Sequence, residues 1–201
     1  KKLKAIAVKG TGKLPPAANK EKVWNIFRKI AEKLPNRRLR THGTTASIWR
    51  VGYDVSAEPI KNWQEEWHDR KEFSHFVLEH GVWRKRYWSD WGCPTSCMKL
   101  SCFSSNGRTI FTDGPDYEMG AYLGANLGVF SAVDAAYLSA LADELGLCGI
   151  QTGNVMGFAV ELFEKKILTE EDVGYELKWG DVKSLARLLE DIAYRRGIGK
   201  I

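Results

Sequence analysis

The chain has 201 residues, 44% of them hydrophobic and 27% charged, with a formal net charge of +5. That is the composition of an ordinary globular protein, long enough for one domain or for one domain and a fragment of another. It contains no apolar run long enough to span a bilayer, no secretory signal and no basic-plus-aromatic nucleic-acid signature, so membrane spans and nucleic-acid binding are not expected.

The first segment, "LKAIAVKG", has the look of a lone strand, which needs partners that the rest of the chain hardly supplies. It is expected to belong to a preceding domain, and the chain to be a piece of a longer polypeptide. After the loop "GTGKLPP", Asn19 or a neighbour caps a helix carrying Val23, Ile26, Phe27, Ile30 and Leu34 at helical spacing. "THGTTASIWRVGYD" has no clear period, and residues 58–70 and 71–78 read as two helices ending near Gly81. "MKLSCFSSNGRTIFT" alternates on both sides of Asn106-Gly107, a strong hairpin signal. Ser131 with Asp134 opens a helix that Gly146 ends. "QTGNVMGFAVELFEKKIL" is a second strong helix, "TEED" starts a short turn, and Asp181 caps a last helix running to about Arg195. The fold class is therefore mainly α, with one β-hairpin and an N-terminal strand.

Several of the eight tryptophans cluster between Trp49 and Trp91, with Tyr53, Phe73, Phe76 and Tyr87. An aromatic core explains them, and a pocket for an aromatic substrate is the alternative. The basic groups Arg37-Arg38-Leu39-Arg40 and Arg84-Lys85-Arg86 are read as solvated faces, or as contacts to phosphate or an acidic partner.

Four cysteines without a secretory context favour a reducing compartment, where metal or redox use is more frequent than disulfides. In "WSDWGCPTSCMKL", Cys93 and Cys97 flank a proline-containing turn that can bring both sulfurs to one iron cluster. Asp90 offers a third, oxygen, ligand and Cys102 is a competitor; two structural thiols remain the alternative. "DELGLC", with Asp143, Glu144, Leu145, Gly146, Leu147 and Cys148, lies at a helix end. Its carbonyls and the Asp143 carboxylate could accept from the N–H groups of a polar heterocycle, although on the residues alone an ordinary glycine cap with a buried cysteine after it is the better account. In "GPDYEMG", Asp116 and Glu118 are proton-transfer candidates if partly desolvated, or else simple helix-start acids. His42, His68, His75 and His80 show no zinc spacing; His68 and His75 could share a helical face.

"LKAIAVKGTGK", "CPTSC", "GPDYE", "ALADELGL", "TGNVMGFAVELFEK", "LTEED", "LKWGD" and "IAYRRGIG", in this order, resemble the tungsten-containing aldehyde ferredoxin oxidoreductases. The resemblance implies that residues 1–15 end a pterin-binding domain and residues 16–201 form the helical middle domain of that family's type. It implies a tungsten (or molybdenum) bis-pterin and a [4Fe–4S] cluster, oxidation of an aldehyde to a carboxylic acid, ferredoxin or another iron–sulfur protein as electron partner, and a cytoplasmic location. A homo-oligomer or larger complex is left open.

Carried over residue by residue, Cys93 and Cys97 match the second and third cysteines of the family's Cys-x2-Cys-x3-Cys, and Asp90 stands at the first. Glu118 matches the family's proton-handling glutamate beside tungsten. Asp143, Glu144, Leu145, Gly146 and Leu147 match its first Asp-x-x-Gly-Leu pterin motif. Cys148 follows where that motif usually ends in aspartate. Asp90 in place of cysteine leaves a harder ligand, and it also motivates a contrasting expectation, a scaffold with a degraded metal site. The family further includes relatives that reduce an aromatic-ring thioester, which the aromatic-rich stretch would suit.

Overall fold

A helix begins where the side chain of Asn19 accepts a hydrogen bond from the Lys22 N–H at 2.9 Å, the capping that the sequence predicts. This helix, α1 (Lys20–Lys33), belongs to the first of two units, Lys1–Pro35 and Asn36–Ile201, in a computed structural model that describes residues 5–34, 37–81, 84–90, 92–105 and 107–200. Val23, Trp24, Ile26 and Ile30 of α1 are exposed. The expected N-terminal strand is not formed over residues 5–10, which are exposed and carry no regular structure; Leu3 and Lys4 lie outside the described residues. A single strand cannot satisfy its own backbone N–H and C=O groups, so without a partner it has nothing to form.

The second unit opens with α2 (Arg37–His42), a 3-10 turn (Thr44–Ser47) and a π-turn (Val51–Val55). The helix expected over residues 58–70 is replaced by an extended loop. Its backbone donors are committed elsewhere: Glu58 N–H to the Glu66 carbonyl, Ile60 to Glu65, Lys61 to Ala125 and Asn62 to Asn126, each at 3.1 Å. Lys61, Asn62 and Trp63 all take left-handed backbone conformations, which no α-helix tolerates. The second expected helix is displaced along the chain and becomes α3 (His75–Gly81).

The predicted hairpin forms from β2 (Met98–Ser105) and β3 (Arg108–Asp113), with Cys102 opposite Phe111 and Ser105 opposite Arg108. Asn106 lies outside the described residues, and Gly107 takes the positive φ such a turn needs. A further strand, β1 (Arg84–Trp88), pairs antiparallel with β2 and makes the sheet three-stranded, order β1-β2-β3. Along β2 the buried residues are Lys99, Ser101 and Phe103, while Leu100 and Phe111, on the other face, are exposed. Polar residues thus point inward at the end of the sheet nearest the cysteines.

The remainder is helical. α4 (Tyr117–Leu123) is capped by Asp116, α5 (Ala132–Glu144) by Ser131, and α8 (Val182–Tyr194) by Asp181; α7 (Glu170–Val173) starts in a Thr169–Asp172 capping box. α6 (Gly149–Glu164) begins at Cys148, earlier than the Thr152-Gly153-Asn154 entry expected. A Cβ on Gly153 would stand 2.4 Å from the Tyr122 carbonyl, so a side chain there would hold α6 away from α4. Leu123, Leu138, Met156, Leu185 and Leu189, all fully buried, join these helices in one apolar core. No single helix among the described residues is long and apolar enough to cross a membrane.

Candidate functional site

Two stretches singled out in the sequence, and a third that was not, surround one cavity of about 200 Å³. One wall is the 3-10 turn with Gly43, Thr44 and Thr45. A second is Cys97, Met98 and Lys99 from the end of the cysteine loop. The third is Asp113, Gly114, Pro115 and Asp116, with Met119 behind. The walls are pinned together: the Thr45 hydroxyl donates to the Pro115 carbonyl, and the Tyr117 N–H donates to Thr44 Oγ1 at 3.0 Å. At Gly43, where φ is +69°, a Cβ would lie 2.7 Å from the Cys97 carbonyl oxygen, so this close approach depends on glycine. The volume is below the roughly 300–1,000 Å³ of ordinary ligand pockets. A large cofactor would be only partly enclosed by these walls.

The cysteine loop is a compact turn. The Cys93 N–H donates to the Asp90 carbonyl at 3.1 Å and the Ser89 hydroxyl to the Cys93 carbonyl at 3.1 Å. Cys93 is exposed and Cys97 partly covered, and both are free thiols. The backbone N–H groups of Thr95 and Ser96 hold the Cys93 thiol below its ordinary pKa, against a small opposing push from Asp90. A thiol biased toward thiolate by backbone donors is what a soft metal or an iron cluster takes as ligand. Asp90 is exposed, and among the described residues no three His, Cys, Asp or Glu side chains gather closely enough to hold a metal ion. The two cysteines therefore fit a ligand role, and a full ligand set is not assembled by the described residues.

Beneath this loop lies Lys99, only 2% exposed. Its ammonium donates to the carbonyls of Cys97 (2.9 Å), Ser96 (3.0 Å) and Met98 (3.2 Å), and it stands 4.8 Å from the centroid of the Tyr87 ring. A buried ammonium needs such acceptors, and in return it draws three successive carbonyls inward.

Asp143 occupies the last turn of α5, where its carboxylate adds to the negative end of the helix dipole. The Thr112 hydroxyl donates to it at 3.3 Å, tying the helix end to β3. Burial, and then the charges of Asp113 and Asp116, push its carboxyl above the ordinary range. A group presenting N–H donors or positive charge would relieve that repulsion. Asp143 and the carbonyls of the helix end offer the acceptors that a heterocycle's N–H groups need, so the residues present fit one. Leu145 and Leu147 pack against the helical core, and Gly146 adopts φ +70° to close the cap. Glu144 and Cys148 are exposed, with Cys148 at the N-cap of α6. Glu118 is exposed in the first turn of α4.

Two buried groups carry no site role in the sequence reading. Glu58 is fully buried, with Oε2 accepting from the Tyr117 hydroxyl at 3.3 Å, and burial pushes its carboxyl up to about 7. His68 is 5% exposed among Phe73 and Phe130, and burial followed by the Arg70 charge holds it below its ordinary pKa. The proline after Glu58 was the one available signal that this acid does not sit on an exposed helix face.

The family described as "Aldehyde ferredoxin oxidoreductase, domains 2 & 3" matches residues 22–201. The aliphatic sulfonate oxidoreductase WOR-like subunit of Pyrococcus furiosus is 49% identical over the whole chain, which covers 32% of that protein. The tungsten-containing aldehyde ferredoxin oxidoreductase of Thermococcus kodakarensis is 31% identical over 99% of the chain and 33% of its own length. The chain thus spans about a third of the length of the curated relatives it matches. Among solved structures, the active-site complex BamBC of benzoyl coenzyme A reductase, bound to 1,5-dienoyl-CoA, aligns at TM-score 0.66 and 20% identity over 90% of this chain and 28% of that one. That likeness bears on the fold, and it agrees with a mainly helical domain carrying a small sheet.

Proposed function

Because the chain belongs to the aldehyde ferredoxin oxidoreductase family, we propose that it forms the helical part of a tungsten bis-pterin, iron–sulfur oxidoreductase that converts aldehydes to carboxylic acids. Residues 1–15 would close a pterin-binding domain and residues 16–201 form the helical middle domain. The observation that carries this reading is the common cavity, which places Cys97 of the cysteine loop beside Asp113 and Asp116, whose charges act on Asp143.

In this reading the metal and its pterins supply the two-electron redox chemistry, and the cluster passes the electrons onward. Cys93 and Cys97 would hold the cluster, with an Asp90 oxygen in the remaining position of the loop; Lys99 fixes the loop backbone from below. Asp143 would accept hydrogen bonds from a pterin, and Glu144, Leu145, Gly146, Leu147 and Cys148 would complete the motif beside it. Glu118, exposed at the head of α4, would take the proton released by substrate. Ferredoxin or a comparable iron–sulfur protein would collect the electrons in the cytoplasm.

Elemental analysis of the native, anaerobically purified protein tests this reading. Tungsten or molybdenum together with iron is expected, and the absence of all three would falsify it.

A second reading is favoured by the 49% identity to the Pyrococcus furiosus WOR-like subunit, against 31% to an aldehyde enzyme. Here the chain serves an aliphatic sulfonate oxidoreductase of several subunits. Turnover of an alkanesulfonate and of an aldehyde on one preparation separates the two. Aldehyde turnover alone eliminates the sulfonate, and sulfonate turnover alone eliminates the first reading.

A further inference from the structure

Glu58 has no part in the roles assigned above, yet its position is costly. One carboxylate oxygen, Oε2, accepts from the Tyr117 hydroxyl, and the other, Oε1, is buried with no hydrogen-bond partner. A carboxylate with an unpaired buried oxygen is strongly disfavoured, and the carboxyl meets that cost by taking up a proton. His68 also borders Gly52. A Cβ at Gly52 would come within 2.5 Å of His68 Nε2 and 3.2 Å of Glu58 Cβ. His68 Nδ1 accepts from the Arg70 N–H at 3.1 Å, which leaves the hydrogen of the neutral ring on Nε2, itself buried and unpartnered. The His68 ring and the Glu58 Cβ thus both border Gly52, and neither Nε2 nor Oε1 has a hydrogen-bond partner. Tyr117 is followed in the chain by Glu118 at the head of α4, and the Glu118 charge acts on the Tyr117 hydroxyl.

We propose that Glu58 is a proton-holding positioning residue, whose protonation reverses its hydrogen bond with Tyr117 and so sets which hydrogen-bonding face Tyr117 presents beside Glu118. The proposal rests on the reading of Glu118 as the acid that handles substrate protons. When Glu58 is ionised, the Tyr117 hydroxyl donates to it and is spent. When Glu58 takes up one proton, its own O–H donates to the Tyr117 oxygen, and the phenolic hydrogen is released to donate elsewhere. One proton is gained by one carboxyl, and no covalent bond other than that O–H forms or breaks. The charged and titratable neighbours are His68 and Tyr117 themselves, Arg70, Asp69 and Glu72 acting on His68, and Glu118 and Tyr122 acting on Tyr117. The midpoint near 7 that burial gives Glu58 would place this reversal within the physiological range.

Infrared difference spectroscopy on the native protein tests this. A protonated-carboxyl band should titrate near pH 7, vanish in Glu58→Gln, and change together with the tyrosine C–O band, and that coupling should be lost in Tyr117→Phe. In turnover, the pH dependence of kcat should lose its inflection near 7 in both variants, with KM changing far less than kcat. A carboxyl band unchanged in Glu58→Gln, or a tyrosine band that does not move with it in the unsubstituted protein, overturns the inference. If Glu58→Gln fails to fold, Tyr117→Phe and the unsubstituted protein still decide it. If elemental analysis finds no metal, the functional reading falls, while the infrared titration still reports whether the Glu58–Tyr117 bond reverses.

Discussion

The helical C-terminal half and the segment from α2 to β3 differ in what they bury besides apolar side chains. In the helices the apolar residues are inside: Leu138, Met156, Leu185 and Leu189 are fully buried, and the helix starts are closed by Ser131, Thr169 and Asp181. Before α4 the apolar residues Ile48, Phe73 and Leu78 are buried too, but charged and polar groups join them inside. Glu58, His68, Lys99 and Ser101 are buried while Trp88, Leu100 and Phe111 face outward. Segments that obey burial rules supply rigidity, and those that break them hold groups whose charge state or hydrogen bonding is useful. The cavity lies along the border between the two.

Four experiments sharpen or break this contrast. The largest effect is expected for Leu185→Ala in the helical half. It removes a fully buried side chain from the shared core and should lower unfolding free energy by about 2–5 kcal/mol in chemical denaturation. A loss no larger than that of a surface substitution would mean that the helices are not one core.

Next is the pH dependence carried by Glu58, whose folded carboxyl is raised from its ordinary 4.5 to about 7. An acid with a raised folded pKa binds its proton more tightly in the folded state. Its stability contribution is therefore greatest below pH 4.5 and declines as pH rises through the window up to about 7. The total is about 3 kcal/mol at about 1.4 kcal/mol per unit. Urea midpoints across this window should slope downward in the unsubstituted protein and flatten in Glu58→Gln. An equal slope in both would place the Glu58 proton elsewhere.

Lys99→Met should cost about 1–3 kcal/mol, because three carbonyls lose their buried donor. It should also accelerate alkylation of Cys97, read by mass spectrometry, as the loop backbone loosens. Unchanged alkylation would separate Lys99 from the cysteine loop. The smallest effect is expected at a helix start. Thr169→Ala opens the capping box of α7 and should cost about 1 kcal/mol by thermal melting, with no change at the cysteines.

The regular elements were legible because their signals are local. Asn19, Ser131 and Asp181 each accept from a backbone N–H in the first turn of the helix they open, and the alternation around Gly107 became a hairpin. Residues 58–70 were misread because Pro59 and the polar run around it do not disclose that the carbonyls of Ala125 and Asn126 claim the Lys61 and Asn62 amides. β1 was missed for a related reason, since its pairing with β2 crosses the cysteine loop. For the site, residue types in family order marked Cys93, Cys97, Glu118 and Asp143, whereas the importance of Glu58 and Lys99 arises from burial, which tertiary packing alone decides.

The left-handed turn at Lys61, Asn62 and Trp63 has a consequence for how the molecule comes together. Two of its amides are anchored on carbonyls more than sixty positions later in the chain, and those carbonyls exist in the right places only once the 3-10 turn Ala125–Leu127 has settled against α6. Contacts of such long sequence separation form late in folding. Glu58 and His68 would therefore be desolvated in the last stage, on a template already built by the helices, and the Lys61 and Asn62 amides should exchange with solvent hydrogen faster than those of α6.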